Sequence, residues 1–385
     1  MTDRLTIAGA RIFDGSHWHQ GQTLPVENGR VAPFGDEENS ADDAVALDAG
    51  GLLLVPGFID LQVNGGGGVQ FNNSADEAGI AAICAAHARF GTTALLPTLI
   101  TDTPGISTLA LAAGIQAARR GIPGYLGLHL EGPHLSQTRK GTHDPALIRP
   151  MTEIDLQSLL NNAGKFGKAL ITIAPESVTP SQVEQLCAAG YRVSLGHSEA
   201  SCDTVGNYVA AGASMITHLF NAMSPLTHRE PGMVGAALSN GALNCGLIAD
   251  GFHVDPIAMG IALRAKTGPG HIFLVTDAMS TIGTDDTGLE LNGRQIFREG
   301  GRLTLADGTL AGADIDMLSC VRYAHEKLGL PLEEALRMAS TYPAEAIGAA
   351  NKGRLEPGSD ADFVLLTPEL EIVSTWIGGQ CVFNA

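Results

Sequence analysis

The chain has 385 residues, 44% of them hydrophobic, and carries a formal charge of -18 at pH 7. That length suits one large domain, or one domain with a smaller companion, and buries enough core to need no stapling. The negative balance speaks against nucleic acid and anionic membranes as partners, and an anionic ligand would need its own local positive charge.

Residues 1 to about 55 read as short strands, Leu5–Ile12, Thr23–Val26 and Ala44–Leu47, separated by the turns Asp14-Gly15, Asn28-Gly29 and Ala49-Gly50-Gly51. The opening residues lack a basic segment followed by an apolar one, and no apolar run reaches about 18 residues, so neither a signal peptide nor a membrane span is expected. The six cysteines are dispersed and read as reduced thiols, which points to the cytoplasm. His17 and His19 read as solvated loop residues.

From Pro56-Gly57 onward, eight apolar, β-branched runs alternate with stretches long enough for a helix. They are Phe58–Asn64, Thr92–Thr98, Tyr125–Glu131, Ala169–Glu176, Arg192–His197, Ser214–His218, Asn244–Asp250 and His271–Asp277. Such alternation predicts a parallel sheet, and eight repeats predict a closed (β/α)8 TIM-like barrel over residues 56–352. Asp76–Phe90 (before Gly91), Ser181–Ala189 (between Pro180 and Gly190) and Pro331–Ser340 are predicted helices with recognisable ends. Gly132–Pro150 is long, polar and rich in Gly, His and Pro, a candidate lid. Beyond the turn Glu356-Pro357-Gly358, Asp362–Leu366 and Ile372–Ile377 again read as strands. Residues 1–55 and 353–385 are therefore expected to pack as one small β-sandwich.

Chemistry in such barrels sits at the C-terminal ends of the strands. Four of the runs end on Glu131, His197, His218 and Asp277. One of these alone could cap a strand or hydrogen-bond in the core. Together, a carboxylate and two imidazoles suit a divalent metal with an open position for water, and Asp277 suits the base beside it. His129 points to the same strand face as Glu131 and reads as a core residue. Gly65-Gly66-Gly67-Gly68 follows a strand but lacks the spacing of a dinucleotide fingerprint, and there is no P-loop.

Val55-Pro-Gly-Phe-Ile-Asp60, Gly196-His197, Thr217-His218 and Thr276-Asp277 resemble the amidohydrolase superfamily. His129-Leu-Glu-Gly-Pro-His134, Lys140-Gly-Thr-His143, His218-Leu-Phe-Asn-Ala-Met223, Arg229-Glu-Pro-Gly232 and Asp250-Gly-Phe-His253 resemble, within it, the N-acetylglucosamine-6-phosphate deacetylase family. The resemblance covers nearly the whole chain. It implies one divalent metal per subunit, usually zinc with iron, cobalt or manganese as substitutes, held by Glu131, His197 and His218. It implies Asp277 as general base and then acid, and His143 polarising the acetamide carbonyl. It further implies contacts to an amino-sugar phosphate from Thr142, His143, Asn221, Ala222, Arg229, Asp250, His253, Leu310, Ala311 and Gly312. The phosphate would meet the backbone N–H groups of Asn221 and Ala222, together with Arg229 and His253, one of which reaches in from a neighbouring subunit of a homodimer.

Two positions depart from superfamily patterns. Gln62-Val63-Asn64 stands where two-metal members have His-x-His, and Glu176 stands on the fourth strand where no bridging lysine is found, so a single metal is expected. Ala313 stands where the family commonly has Ser. The alternatives are N-acetylgalactosamine 6-phosphate as substrate, another amidohydrolase activity such as a dihydroorotase or aminoacylase, and a catalytically silent scaffold.

Overall fold

The eight apolar runs all become strands of one parallel sheet, in a computed structural model that describes residues 4–36 and 45–385. They are β1 (Phe58–Val63), β2 (Thr92–Ile100), β3 (Gly127–Glu131), β4 (Lys168–Ile173), β5 (Arg192–Leu195), β6 (Met215–Ile216), β7 (Asn244–Leu247) and β8 (Ile272–Leu274). Sheet order follows chain order from β1 to β8, as in a barrel of consecutive β/α units. Between β8 and β1 the ladder gives way to single bonds. The Asp277 N–H reaches the Gln62 carbonyl (3.0 Å), the Asn64 N–H reaches the Ala278 carbonyl (2.8 Å), and the Thr276 hydroxyl reaches the Asp60 carboxylate (2.5 Å). The barrel is thus nearly closed.

Alternation along β3 shows how sequence sets facing. Leu128 and Leu130 join the core beneath the helices. His129 turns inward, bonded to Thr172 Oγ1 (2.8 Å) and Thr98 Oγ1 (3.2 Å), a buried core residue as expected. Inside the barrel, Ile59, Leu61, Leu96, Leu170, Met215 and Phe273 fill the space.

Helices follow the strands: α1 (Glu77–Ala88), α2 (Pro104–Arg120), α3 (Glu153–Asn162), α4 (Pro180–Ala188), α5 (Cys202–Ala210), α6 (Gly232–Ser239) and α7 (Pro256–Ala265). Asp76 caps α1 by accepting from the Gly79 N–H, and Thr179 with Gln182 forms a capping box on α4. The third predicted helix is observed as Leu332–Ala339.

After β8 the repeat is interrupted by a four-stranded antiparallel sheet, Gly288–Leu291, Arg294–Glu299, Arg302–Thr304 and Leu310–Ala313, which no predicted element anticipated. It packs on Ile100 and Met279. Its first hairpin turns at Asn292-Gly293, both with positive φ (49° and 71°), the commonest sequence for a two-residue turn.

The terminal segments form two further sheets, one from residues 4–48 and one that sets Leu53–Pro56 between Phe363–Leu366 and Arg11–Phe13. Ile7, Leu24, Val26 and Leu54 share a core with Leu355, Phe363 and Leu365, so the two ends of the chain bury one another's apolar surface. Ala44 of the predicted strand lies outside the described residues, as do Met1, Thr2 and Asp3; Val45–Asp48 is a strand. His19 is not a solvated loop residue: it lies in a strand, pairs with Asp14 (2.6 Å) and packs on Phe34. All six cysteines are free thiols, three of them buried. No helix among the described residues is long and apolar enough to cross a membrane.

Candidate active site

Glu131 is the last residue of β3, while His197, His218 and Asp277 lie just past the ends of β5, β6 and β8. These last three adopt left-handed backbone, with φ of 49°, 29° and 53°. Such conformations cost a residue with a Cβ roughly 1–3 kcal/mol, so the surrounding fold must hold them. The reward is direction, since a strand that breaks its extended run aims the next side chain across the barrel mouth. Glu131, His197 and His218 are buried and Asp277 is half-buried, all beside a cavity of about 530 Å³.

The donor atoms sit where an ion would need them. His197 Nε2 and His218 Nε2 are 3.0 Å apart, and they lie 3.4 Å and 3.2 Å from Glu131 Oε1. Ligands about 2.0–2.1 Å from a tetrahedral zinc would be separated by about 3.3 Å. The triangle therefore fits a single divalent ion without rearrangement. Burial would raise the Glu131 carboxyl, but the contacts with His197 and His218 outweigh it and hold the group well below its ordinary range. The His197 Nδ1 faces the Arg139 carbonyl at 2.8 Å, which places a proton on Nδ1 and leaves Nε2 as the nitrogen that would meet an ion.

Asp277 completes the mouth. Its Oδ1 accepts from Asn64 Nδ2 (2.6 Å) and Gln62 Nε2 (3.1 Å), and Gln62 Nε2 also reaches Glu131 Oε1 (3.1 Å). The Gln-x-Asn pair thus turns amide donors, not ligand lone pairs, toward the two carboxylates. Burial first, and the nearby charge of Glu131 second, push the Asp277 carboxyl up to about 6. That suits a group that takes and returns a proton near neutrality. His143 stands on the other side, its Nε2 4.0 Å from Glu131 Oε2. Burial, then the neighbouring His197, push its imidazole down to about 3, so it is neutral.

Of the other predicted contacts, Thr142, Asn221, Ala222, His253, Leu310 and Gly312 line the cavity. Ala311 does not: its side chain is buried in the core of the inserted sheet, because alternation along that strand sends it the opposite way from its neighbours. Asp250 is also absent from the lining and instead holds His253 Nδ1 at 2.6 Å, supporting a lining residue. Arg229 is exposed on the loop between β6 and α6, away from the cavity of its own chain. The Asn221 N–H donates to the His218 carbonyl (2.9 Å) and so is committed within its turn. Glu176 is exposed and accepts from Ser198 Oγ and the Glu199 N–H, bracing the loop after His197.

The Gly132–Pro150 segment does form one wall, through Thr138, Arg139, Gly141, Thr142 and His143. Sequence reading missed Gly308 and Thr309, in the turn before the last strand of the inserted sheet, and also Arg294, whose Nη2 holds the Thr142 carbonyl at 2.5 Å. The Asn292-Gly293 pair was the available signal for that hairpin. It missed Thr101 as well, which faces His143 and carries no local signal.

Residues 53–382 match the amidohydrolase family. The chain is 46% identical to N-acetylgalactosamine-6-phosphate deacetylase of Shewanella sp. (strain ANA-3), over 100% of this chain and 98% of that protein. It is 38% identical to N-acetylglucosamine-6-phosphate deacetylase of Homo sapiens, over 99% and 96%. Its fold matches the crystal structure of N-acetylglucosamine-6-phosphate deacetylase from Pasteurella multocida with a TM-score of 0.95 at 32% identity, covering 99% of this chain and 100% of that one. It matches a mutant of the Mycobacterium smegmatis N-acetyl-D-glucosamine-6-phosphate deacetylase, solved in complex with N-acetyl-D-glucosamine-6-phosphate, with a TM-score of 0.90 at 31% identity over the whole of both chains. Agreement of this extent, in sequence and in structure, leads to one conclusion: this chain belongs to the amidohydrolase family and is a hydrolase of amide C–N bonds.

Proposed function

We propose that the protein hydrolyses the acetamide of N-acetylglucosamine 6-phosphate, releasing acetate and glucosamine 6-phosphate. The observation that carries the chemistry is the Glu131, His197 and His218 triangle with Asp277 held beside it by Gln62. One divalent ion held by Glu131, His197 and His218, with zinc the best match to the donor set, would supply Lewis acidity for the carbonyl and ease proton loss from water. Asp277 takes a proton from the attacking water. His143 hydrogen-bonds the carbonyl oxygen and stabilises the charge that develops there. Asp277 then returns the proton to the departing amine.

For the phosphate, the loop carrying Asn221 and Ala222 lines the cavity, with His253 beside it. Arg229 lies outside the cavity of its own chain, which suits delivery to a second copy in a homodimer. Exposed Leu226, Phe252, Ile257 and Ile261, on or near the same loops, suit burial in that contact. Leu310 and Gly312 would cover the sugar. We assign residues 1–55 with 353–385 to a β-sandwich and 56–352 to the barrel, and place the enzyme in the cytoplasm, where its six free thiols would persist.

A second reading, N-acetylgalactosamine 6-phosphate, is favoured by the 46% identity to a deacetylase named for that sugar. Acetate release measured as kcat/KM on both 6-phosphates and on unphosphorylated N-acetylglucosamine tests both. Preference for the gluco epimer supports the first reading and preference for the galacto epimer the second. Equal turnover with and without phosphate removes the phosphate site from the proposal.

A further inference from the structure

Two histidines compete for the third ligand position. Donor atoms of Glu131, His143 and His197 all lie within 4.8 Å of one another, so His143 could stand in place of His218. The groups behind the His143 ring decide whether its Nε2 can serve. Thr101 directly follows β2, and both of its donors face His143 Nδ1: the hydroxyl at 2.7 Å and the backbone N–H at 3.4 Å. A backbone N–H can only donate, so His143 Nδ1 must be an acceptor, which excludes both the imidazolium and the tautomer protonated at Nδ1. A hydroxyl 2.7 Å from that same lone pair must donate to it as well. The other acceptor within its reach, the Glu131 carbonyl, is 3.5 Å away. The ring proton is left on Nε2, facing the site. His197 has the reverse arrangement: its Nδ1 faces a carbonyl, which can only accept, so its Nδ1 carries a proton.

We propose that Thr101 is a positioning residue that holds His143 in the Nε2–H tautomer, making it a hydrogen-bond donor to the amide carbonyl and keeping it out of the metal's ligand set. The identity of that carbonyl rests on the deacetylase reading; the tautomer does not. The surroundings are built to hold the pair. Both residues are almost wholly buried. A Cβ on Gly132 would lie 2.2 Å from Thr101 Oγ1, so the hydroxyl occupies space that only glycine leaves. From the inserted sheet, Asn292 Nδ2 approaches the Thr101 carbonyl (3.4 Å) and Arg294 grips the Thr142 carbonyl, so one hairpin clamps both sides of the pair.

The test uses zinc-loaded full-length protein labelled with 15N at its 12 histidines, with the His143 signals assigned by their loss in His143→Gln. The expected spectrum shows His143 protonated at Nε2 and unprotonated at Nδ1, with His197 protonated at Nδ1. His143→Gln should keep one zinc per chain. Thr101→Val should lower kcat about 10- to 100-fold with KM within about threefold, and Thr101→Ser should restore most of the rate. A His143 protonated at Nδ1, a His143→Gln protein that loses zinc, or a Thr101→Val protein with wild-type kcat would each overturn the proposal. The spectra and the zinc content need no substrate, so they judge Thr101 whichever sugar the enzyme takes.

Discussion

Replacing Asp277 with Asn tests the chemistry while barely changing shape. Asp277 Oδ1 accepts from Gln62 Nε2 and Asn64 Nδ2, and the oxygen of an asparagine can keep both bonds. Bound zinc and Tm should therefore be retained. What disappears is the proton acceptor. General acid–base catalysis is worth about 10²- to 10⁴-fold, so kcat for acetate release should fall by about that factor. The wild-type enzyme carries a second signature. Its Asp277 carboxyl is pushed up to about 6 by burial and then by Glu131, and the base works ionised. Activity is thus present above that value and lost as the pH falls through it, about tenfold per pH unit on the acid side. A cation held by Glu131 would offset the Glu131 charge, so the limb in kcat/KM lies at about 6 or below. The residual rate of Asp277→Asn should lack this limb. A zinc-bound Asp277→Asn protein that keeps more than about a tenth of wild-type kcat would refute the assignment.

Asp60 offers a test of the barrel seam. It is fully buried, and burial pushes its carboxyl from 3.8 up to about 7 against hydrogen bonds from Thr276 and Gln62. Because the folded value is raised, its stabilising contribution is complete below about pH 4 and is lost as the pH rises through about 7, a swing of about 4 kcal/mol. The Tm of Asp60→Asn should therefore gain on wild type between pH 5 and pH 8; a difference that does not change with pH would count against this account. Arg229→Gln should raise KM for the phosphorylated sugar about 10- to 100-fold while leaving the slow turnover of the unphosphorylated sugar alone. If Arg229 serves the other subunit, mixing Arg229→Gln with Asp277→Asn protein restores sites that have both wild-type residues; no recovery would place Arg229 with its own chain's site.

The strand ends were legible because apolar, β-branched runs broken by a polar residue report burial followed by a change of environment. Glu131, His197, His218 and Asp277 were all found this way, and all four meet at one mouth. The facing of His129 followed from period two alone. By the same rule, Ala311 should have been separated from Leu310 and Gly312, but the strand that carries them had not been recognised. The inserted sheet was partly legible, through Asn292-Gly293, yet its place over the cavity was not, since a hairpin turn says nothing about what the hairpin packs against.

What the sequence by itself determined is the alternating architecture, the terminal strands and the chemical inventory at the strand ends, because periodicity and residue type are local properties of the chain. What only the tertiary structure decided is which atoms of that inventory face each other. The left-handed backbone at His197, His218 and Asp277 is held by the surrounding packing. The β8–β1 seam is closed by Asp60 and Thr276, 216 positions apart. The proton on His143 is placed by Thr101, 42 positions away. Hydrogen bonds act over about 3 Å and select protonation states and tautomers, and a local pattern carries no information about partners that distant in the chain.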